Sequence, residues 1–186
     1  MSALTPTIIE KFYELCNWAY EAWIMHRALF DDNPNADNLM RCDCGEAMAR
    51  LNKITGEYVL HQIIKLHDSA MQSSSINLTV DYIVDYGGWD QQTLAILQNS
   101  RNKLRLFAEN LKLARNKLLS HNDLQAILSN NPLGEFERDA DCAYFDNLQE
   151  FVNIVHEKTI GGPRCFNDLV KADTHAFLSY LQKSLR

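Results

Sequence analysis

The sequence predicts an all-α fold, and three features carry that reading. Breakers are sparse: 7 Gly and 4 Pro punctuate 186 residues, too few for the tight turns that many short strands need. Between them, apolar residues recur at three- and four-residue spacing, the period of a helix with one buried face. One stretch keeps leucine at every seventh position (Leu97, Leu104, Leu111 and Leu118), the pattern of a helical seam. A hydrophobic share of 46% beside 23% charged residues lies in the globular range. The length suits one domain with its own core, so a single helical domain is expected over residues 1–186.

The elements follow in order. Thr5-Pro6 sets a capping hydroxyl before a proline at the first helical position. Phe12, Leu15, Ala19 and Trp23 then form one predicted buried stripe, and Asp31-Asp32-Asn33-Pro34-Asn35, dense in turn formers, ends the helix near Phe30. Its aromatics are expected in the core rather than stacked on bases. A second helix is predicted from about Asp37 towards Leu66, with a stripe through Leu51, Ile54, Val59, Ile63 and Leu66; Gly45 and Gly56 are its weak points. A polar loop, Ser73 to Asn77, leads to a short helix from about Thr79 that stops at Gly87-Gly88. Asp90 caps the seam helix, where Phe107 and Ala114 fill the intervening positions and which runs to about Asn122. Ser129-Asn130-Asn131-Pro132-Leu133-Gly134 reads as a turn. A further helix covers about Asp141 to Glu157 with Phe145, Leu148, Phe151, Val152 and Val155. Gly161-Gly162-Pro163 breaks the chain before a last helix from about Asn167 to Ser184.

Several classes are disfavoured. There is no run of roughly 18 apolar residues, so no membrane span is expected. The N-terminus lacks a basic region, and Glu10, Lys11 and Glu14 interrupt its apolar segment, unlike a signal peptide. The 5 cysteines (Cys16, Cys42, Cys44, Cys142, Cys165) are odd in number and scattered, which suits a reducing compartment and points to a cytoplasmic location. Cys42-x-Cys44 has no second pair to complete a metal site, and His26, His61, His156 and His175 have no spacing that makes a metal site or triad. The net charge of −6 argues against a generic nucleic-acid binder. Between Arg101 and His121, however, Arg101, Lys103, Arg105, Lys112, Arg115 and Lys117 stand against Glu109 alone. That stretch is either a footprint for a polyanion or a solvated helix face beside acidic neighbours.

Near the end of the seam helix the chain reads Arg115-Asn116-Lys117-Leu118-Leu119-Ser120-His121. On a helix Arg115 and His121 lie about 120° apart with Leu118 midway, so both flank the apolar seam. A guanidinium grips a phosphate bidentately and stabilises charge built up in a transition state. An imidazole moves protons near neutral pH. RNA brings its own nucleophile, the 2′-hydroxyl, so this pair could serve its cleavage without a metal. By spacing alone, a satisfied buried His beside a surface Arg is the competing reading. His67 and Asp68 are expected to satisfy turn amides at a helix end.

The stretch resembles the Arg-x4–6-His motif of the HEPN superfamily, with a polar residue (Asn116) after the Arg and a small one (Ser120) before the His. Asn122-Asp123, and Lys65-Leu66-His67-Asp68 through Asn77-Leu78-Thr79-Val80, resemble the AbiU branch, associated with abortive phage infection. There the upstream segment commonly reads Arg-Leu-x-Asp, a polar loop, then Asn-Leu-Thr-Leu. The resemblance spans roughly residues 40–130. It implies a HEPN-like helical bundle with additional peripheral helices, a homodimer with two motifs in one composite cleft, and a metal-independent endoribonuclease leaving 2′,3′-cyclic phosphate and 5′-hydroxyl ends. By the same likeness Arg115 would hold the scissile phosphate, Asn116 would position it and His121 would be the acid–base residue. Lys112 and Lys117 are the expected substrate contacts. No cofactor or metal is expected; RNA is the expected partner, with an antitoxin or regulatory protein of unknown identity as a second. Lys65 replaces the branch's usual Arg. Asp123 stands where some HEPN toxins carry a Tyr modified by a nucleotidyltransferase, so that control is not expected. The alternatives are a non-catalytic HEPN-type module that binds RNA or protein, and a helical regulatory subunit.

Overall fold

The structure is a computed structural model that describes residues 4–114 and 139–184. Within them run α1 (Pro6–His26), a π turn (Arg27–Asp31), α2 (Ala36–Arg41), α3 (Gly45–Leu66), a hairpin of β1 (Met71–Gln72) and β2 (Ser75–Ile76), α4 (Val80–Tyr86), α5 (Gln91–Ala114), α6 (Ala140–Thr159) and α7 (Leu169–Ser184). The all-α class stands, with the hairpin as the sole β structure among the described residues. No helix of the described residues is long and apolar enough to cross a membrane.

Contacts divide the chain into two compact units, Met1–Cys16 with His61–Cys165 and Asn17–Leu60 with Phe166–Arg186. In the first, α5 lies against both α4 and α6. Leu97, Leu104 and Leu111 of the seam are fully buried together with Ala108, and α6 supplies Phe145, Leu148, Phe151, Val152 and Val155, all buried. The described part of the seam is therefore consumed by the chain's own core. Phe12 of α1 meets Phe151 edge-on at 6.0 Å. Asp90 caps α5 as expected: its Oδ1 accepts from the amides of Gln92 at 3.0 Å and Thr93 at 2.9 Å, satisfying orphan donors of the first turn. The Thr93 hydroxyl, donating at 2.6 Å, holds the Asp90 carboxyl below its usual range. Thr79 caps α4 by accepting from the Tyr82 amide. The Ser73–Asn77 stretch is not a plain loop. Met71 pairs with Ile76 and Gln72 with Ser75, and Ser73 takes the left-handed conformation at φ 55° that lets so short a turn close.

In the second unit, Leu29, Phe30, Leu39, Met48 and Leu178 form the buried cluster. The chain leaves α1 through the π turn, where the Arg27 guanidinium donates to both Asp32 oxygens at 3.1 and 2.8 Å and holds that carboxyl below its usual range. The long second helix expected from Asp37 to Leu66 is in fact two. α2 ends at Arg41, Cys42 is extended, and the amide of Gly45 donates to the Cys42 carbonyl at 2.8 Å. A Cβ on Gly45 would lie 2.2 Å from the Met40 carbonyl oxygen, so this break tolerates only glycine.

Two stripe residues also fall outside the core. Leu15 is 44% and Ile54 62% exposed. The true inner line of α1 runs Ile9, Phe12, Cys16, Ala19, Trp23, all buried, so Leu15 sits about 100° off the buried axis. On α3, the half-buried Thr55 takes the inward place beside His26, whose Nδ1 lies 2.8 Å from the Thr55 hydroxyl, and Ile54 is rotated outwards.

Candidate functional site

Arg115, Asn116, Lys117 and His121 lie outside the described residues, as does Leu118. Of the sequence-selected residues, Lys112 is placed. It occupies the last turn of α5, and its Nζ donates to the backbone carbonyl of His67 at 2.6 Å. One of its three donors is thus committed to tying the end of α5 to the end of α3, and the other two have no partner among the described residues. Lys112 precedes Arg115 by three residues in the sequence.

His67 is buried. Its Nε2 shares a hydrogen bond of 2.9 Å with the Tyr144 hydroxyl of α6, and Tyr144 in turn stacks on Phe107 with ring centroids 5.0 Å apart. Burial, then the positive charges of Lys112 and Arg105, push the His67 pKa down to about 3. Burial likewise pushes the Tyr144 phenol well up. At neutral pH this is an uncharged imidazole against an intact phenol, a fixed polar link in an apolar layer. His67 therefore does more than finish a turn, although its own amide does donate to Ile64. Nothing in the sequence signalled Tyr144, 77 residues away, as its partner.

Beside this link the segment Lys65–Thr79 lines a cavity of about 260 Å³. Leu15, Leu66, Ile76 and Leu78 give it apolar walls, and Gln62, Lys65, Asp68 and Asn77 bring polar groups. This is where the exposed Leu15 of α1 goes. Asn77 is held in place by its Nδ2 donating to the Ser69 carbonyl at 2.8 Å and its amide donating to Ala70 at 2.9 Å.

The basic face of α5 is partly spent inside the protein. Arg105 donates to both oxygens of Asp81 at 2.8 and 2.9 Å, and Arg101 donates to Asp85 at 2.8 Å. For these two cations the acidic-neighbour reading holds. The matched four-residue spacing, Asp81 to Asp85 on α4 and Arg101 to Arg105 on α5, was the sequence signal for it. At the start of α6, Asp139, Asp141 and Cys142 bring one ligand atom each within 4.8 Å of one another, but all three have interaction partners of their own.

The described residues form an all-helical, HEPN-like fold in which Lys112 joins the last turn of the capped α5 to the end of α3. The family model of AbiU2 matches residues 6–178, from α1 into α7, and the chain belongs to this AbiU2 family of HEPN proteins. The match reaches well beyond residues 40–130, where the motifs were legible. Neither a curated protein nor a solved structure matches the chain.

Proposed function

We propose that the protein is a metal-independent endoribonuclease, an RNA-cleaving toxin or defence effector of abortive phage infection that acts in the cytoplasm as a homodimer. The observation that carries this reading is the pair Arg115 and His121, in the spacing of the HEPN motif, inside the span matched by the AbiU2 family. An inert module has no need of both residues.

The chemistry is an in-line displacement. His121 takes the proton of a ribose 2′-hydroxyl as its oxygen attacks the adjacent phosphorus. The P–O5′ bond breaks, and the leaving 5′-oxygen receives a proton from a protonated imidazole, the same residue of a second copy. The products are a 2′,3′-cyclic phosphate and a 5′-hydroxyl. Arg115 holds the phosphate and stabilises the charge that builds on its oxygens; Asn116 positions it, and Lys112 and Lys117 contact the flanking strand. One Arg and one His are half of a two-ended clamp, which is why a two-fold arrangement is part of the proposal.

The test is incubation of the purified full chain with single-stranded and structured RNA, with and without EDTA, and analysis of the product ends. Cleavage that survives EDTA and leaves cyclic-phosphate ends is expected, with a loss of about 10²–10⁴-fold in rate for His121→Ala. Undiminished cleavage by a folded His121→Ala protein, or 5′-phosphate products made only with Mg²⁺, would overturn it. Binding of RNA without cleavage would favour the non-catalytic module instead.

A further inference from the structure

We infer that the cavity walled by Leu15, Leu66, Ile76 and Leu78 receives one unpaired base of the RNA strand, with Gln62 and Asn77 reading its edge and Lys65 holding a neighbouring phosphate. This inference rests on the ribonuclease reading and supplies a substrate subsite to it.

Size comes first. Pockets for drug-sized ligands span about 300–1,000 Å³, and a cavity of about 260 Å³ suits a single ring system better than a whole nucleotide. The walls come next. Leu15 is 44% and Ile76 56% exposed, so two large apolar side chains on different elements, α1 and β2, flank one opening where water would otherwise lie on them. An unstacked base in single-stranded RNA offers an apolar face and a hydrogen-bonding edge; here the face would be buried against aliphatic side chains instead of aromatic ones.

The polar groups fit that edge. The Gln62 carboxamide makes no hydrogen bond among the described residues. Asn77 spends its Nδ2 on Ser69, which fixes the carboxamide and leaves Oδ1 as an acceptor. Carboxamides carry donor and acceptor together, the complement of a nucleobase edge. Lys65 is exposed and pairs with no carboxylate among the described residues, leaving its ammonium for a phosphate. Asp68, on the same lining, disfavours an anion inside the cavity and so favours an uncharged ring there, with the phosphate on the Lys65 side. Position completes the case. Leu66 and Asp68 flank His67, whose carbonyl is clamped by Lys112, three residues ahead of Arg115.

The experiment uses the full chain carrying His121→Ala, to suppress cleavage, and a fluorescein-labelled single-stranded RNA of about ten nucleotides, with binding followed by fluorescence anisotropy. The base is removed at one position at a time. Loss of one base is expected to weaken binding about tenfold at a single position, from the loss of apolar burial and edge hydrogen bonds. The same base removal should cost nothing further when Ile76→Trp fills the cavity from the exposed hairpin, and less than in the His121→Ala parent when Gln62→Ala removes one edge contact. Thermal melts of both variants confirm that they remain folded. If no position is sensitive, or if the penalty is undiminished in both variants, the base subsite is wrong. If the unsubstituted chain still cleaves RNA in that case, the ribonuclease reading stands without it. If the unsubstituted chain neither binds nor cleaves RNA, the ribonuclease reading falls and the subsite falls with it.

Discussion

Lowering the pH from 7.5 to 5.0 is expected to weaken the folded protein by about 2 kcal/mol through His67 alone. In the unfolded chain its imidazole titrates near the free value of about 6.5; in the folded protein burial and the charges of Lys112 and Arg105 hold it near 3. Between those values the unfolded state takes up a proton that the folded state refuses. The contribution is therefore complete above about pH 6.5 and is lost as the pH falls towards 3. At pH 5.0 the unfolded imidazole is about 1.5 pH units below its midpoint, and each unit is about 1.4 kcal/mol. Urea unfolding at both pH values, followed by circular dichroism, measures the loss. Carboxylates titrate over part of the same range, so the decisive quantity is the comparison with His67→Gln, which keeps a hydrogen-bonding group near Tyr144 without an ionisable one. The variant should lose about 2 kcal/mol less than the unsubstituted chain over that interval. Equal losses in the two proteins would refute the argument and mean that His67 is not held neutral by its surroundings.

Gly45→Ala should destabilise by about 1–3 kcal/mol in thermal or urea unfolding, because its Cβ meets the Met40 carbonyl oxygen at 2.2 Å; an unchanged midpoint would show that the break between α2 and α3 can shift freely. Asp81→Asn should cost about 1–3 kcal/mol of stability, since the carboxylate is only 21% exposed and accepts twice from Arg105. By releasing Arg105, and Arg101 in part, it should also steepen the salt dependence of RNA binding, by up to about one unit of slope per released cation. Light scattering with size-exclusion chromatography should return a dimer. Its contact would use faces other than the buried seam; Leu106, 70% exposed on α5 and more so than Ile96 at 45%, is the side chain whose change to Glu should shift the mass towards the monomer.

What was legible in the sequence was whatever a short stretch decides for itself. Asp90 and Thr79 cap their helices through side-chain oxygens two or three residues from the amides they serve, so local chemistry sufficed. The seven-residue leucine spacing and the apolar face of α6 were equally plain, because burial on one face leaves a period. Leu15 and Ile54 were misjudged because stripes at three- and four-residue spacing can be drawn along two adjacent lines, and only tertiary packing selects Cys16 and the Thr55 side. The break at Cys42–Gly45 escaped because a glycine lowers helix propensity without saying whether the helix ends. At the site, the Arg–His motif was legible as a resemblance, whereas the link from Lys112 through His67 to Tyr144 joins three distant segments and left no local trace. The Asp81/Asp85 and Arg101/Arg105 complement was readable in principle, but only once α4 and α5 were known to be neighbours.

The meeting of Phe12 with Phe151 has a consequence for the birth of the protein. Helix α1 leaves the ribosome long before α6, which supplies the edge-on partner of its Phe12 within this unit. At synthesis rates of about 5–20 residues per second, the chain between α1 and α6 takes on the order of 6–25 s to appear. Throughout that interval Phe12 lacks its Phe151 partner, and α5 carries its leucines without the helix that packs against them. A message cut short before Ala140 therefore yields an aggregation-prone fragment rather than a smaller working protein. For a chain proposed to destroy RNA, folding that depends on completion of α6 is also a safeguard: the core of this unit closes only once α6 has been made.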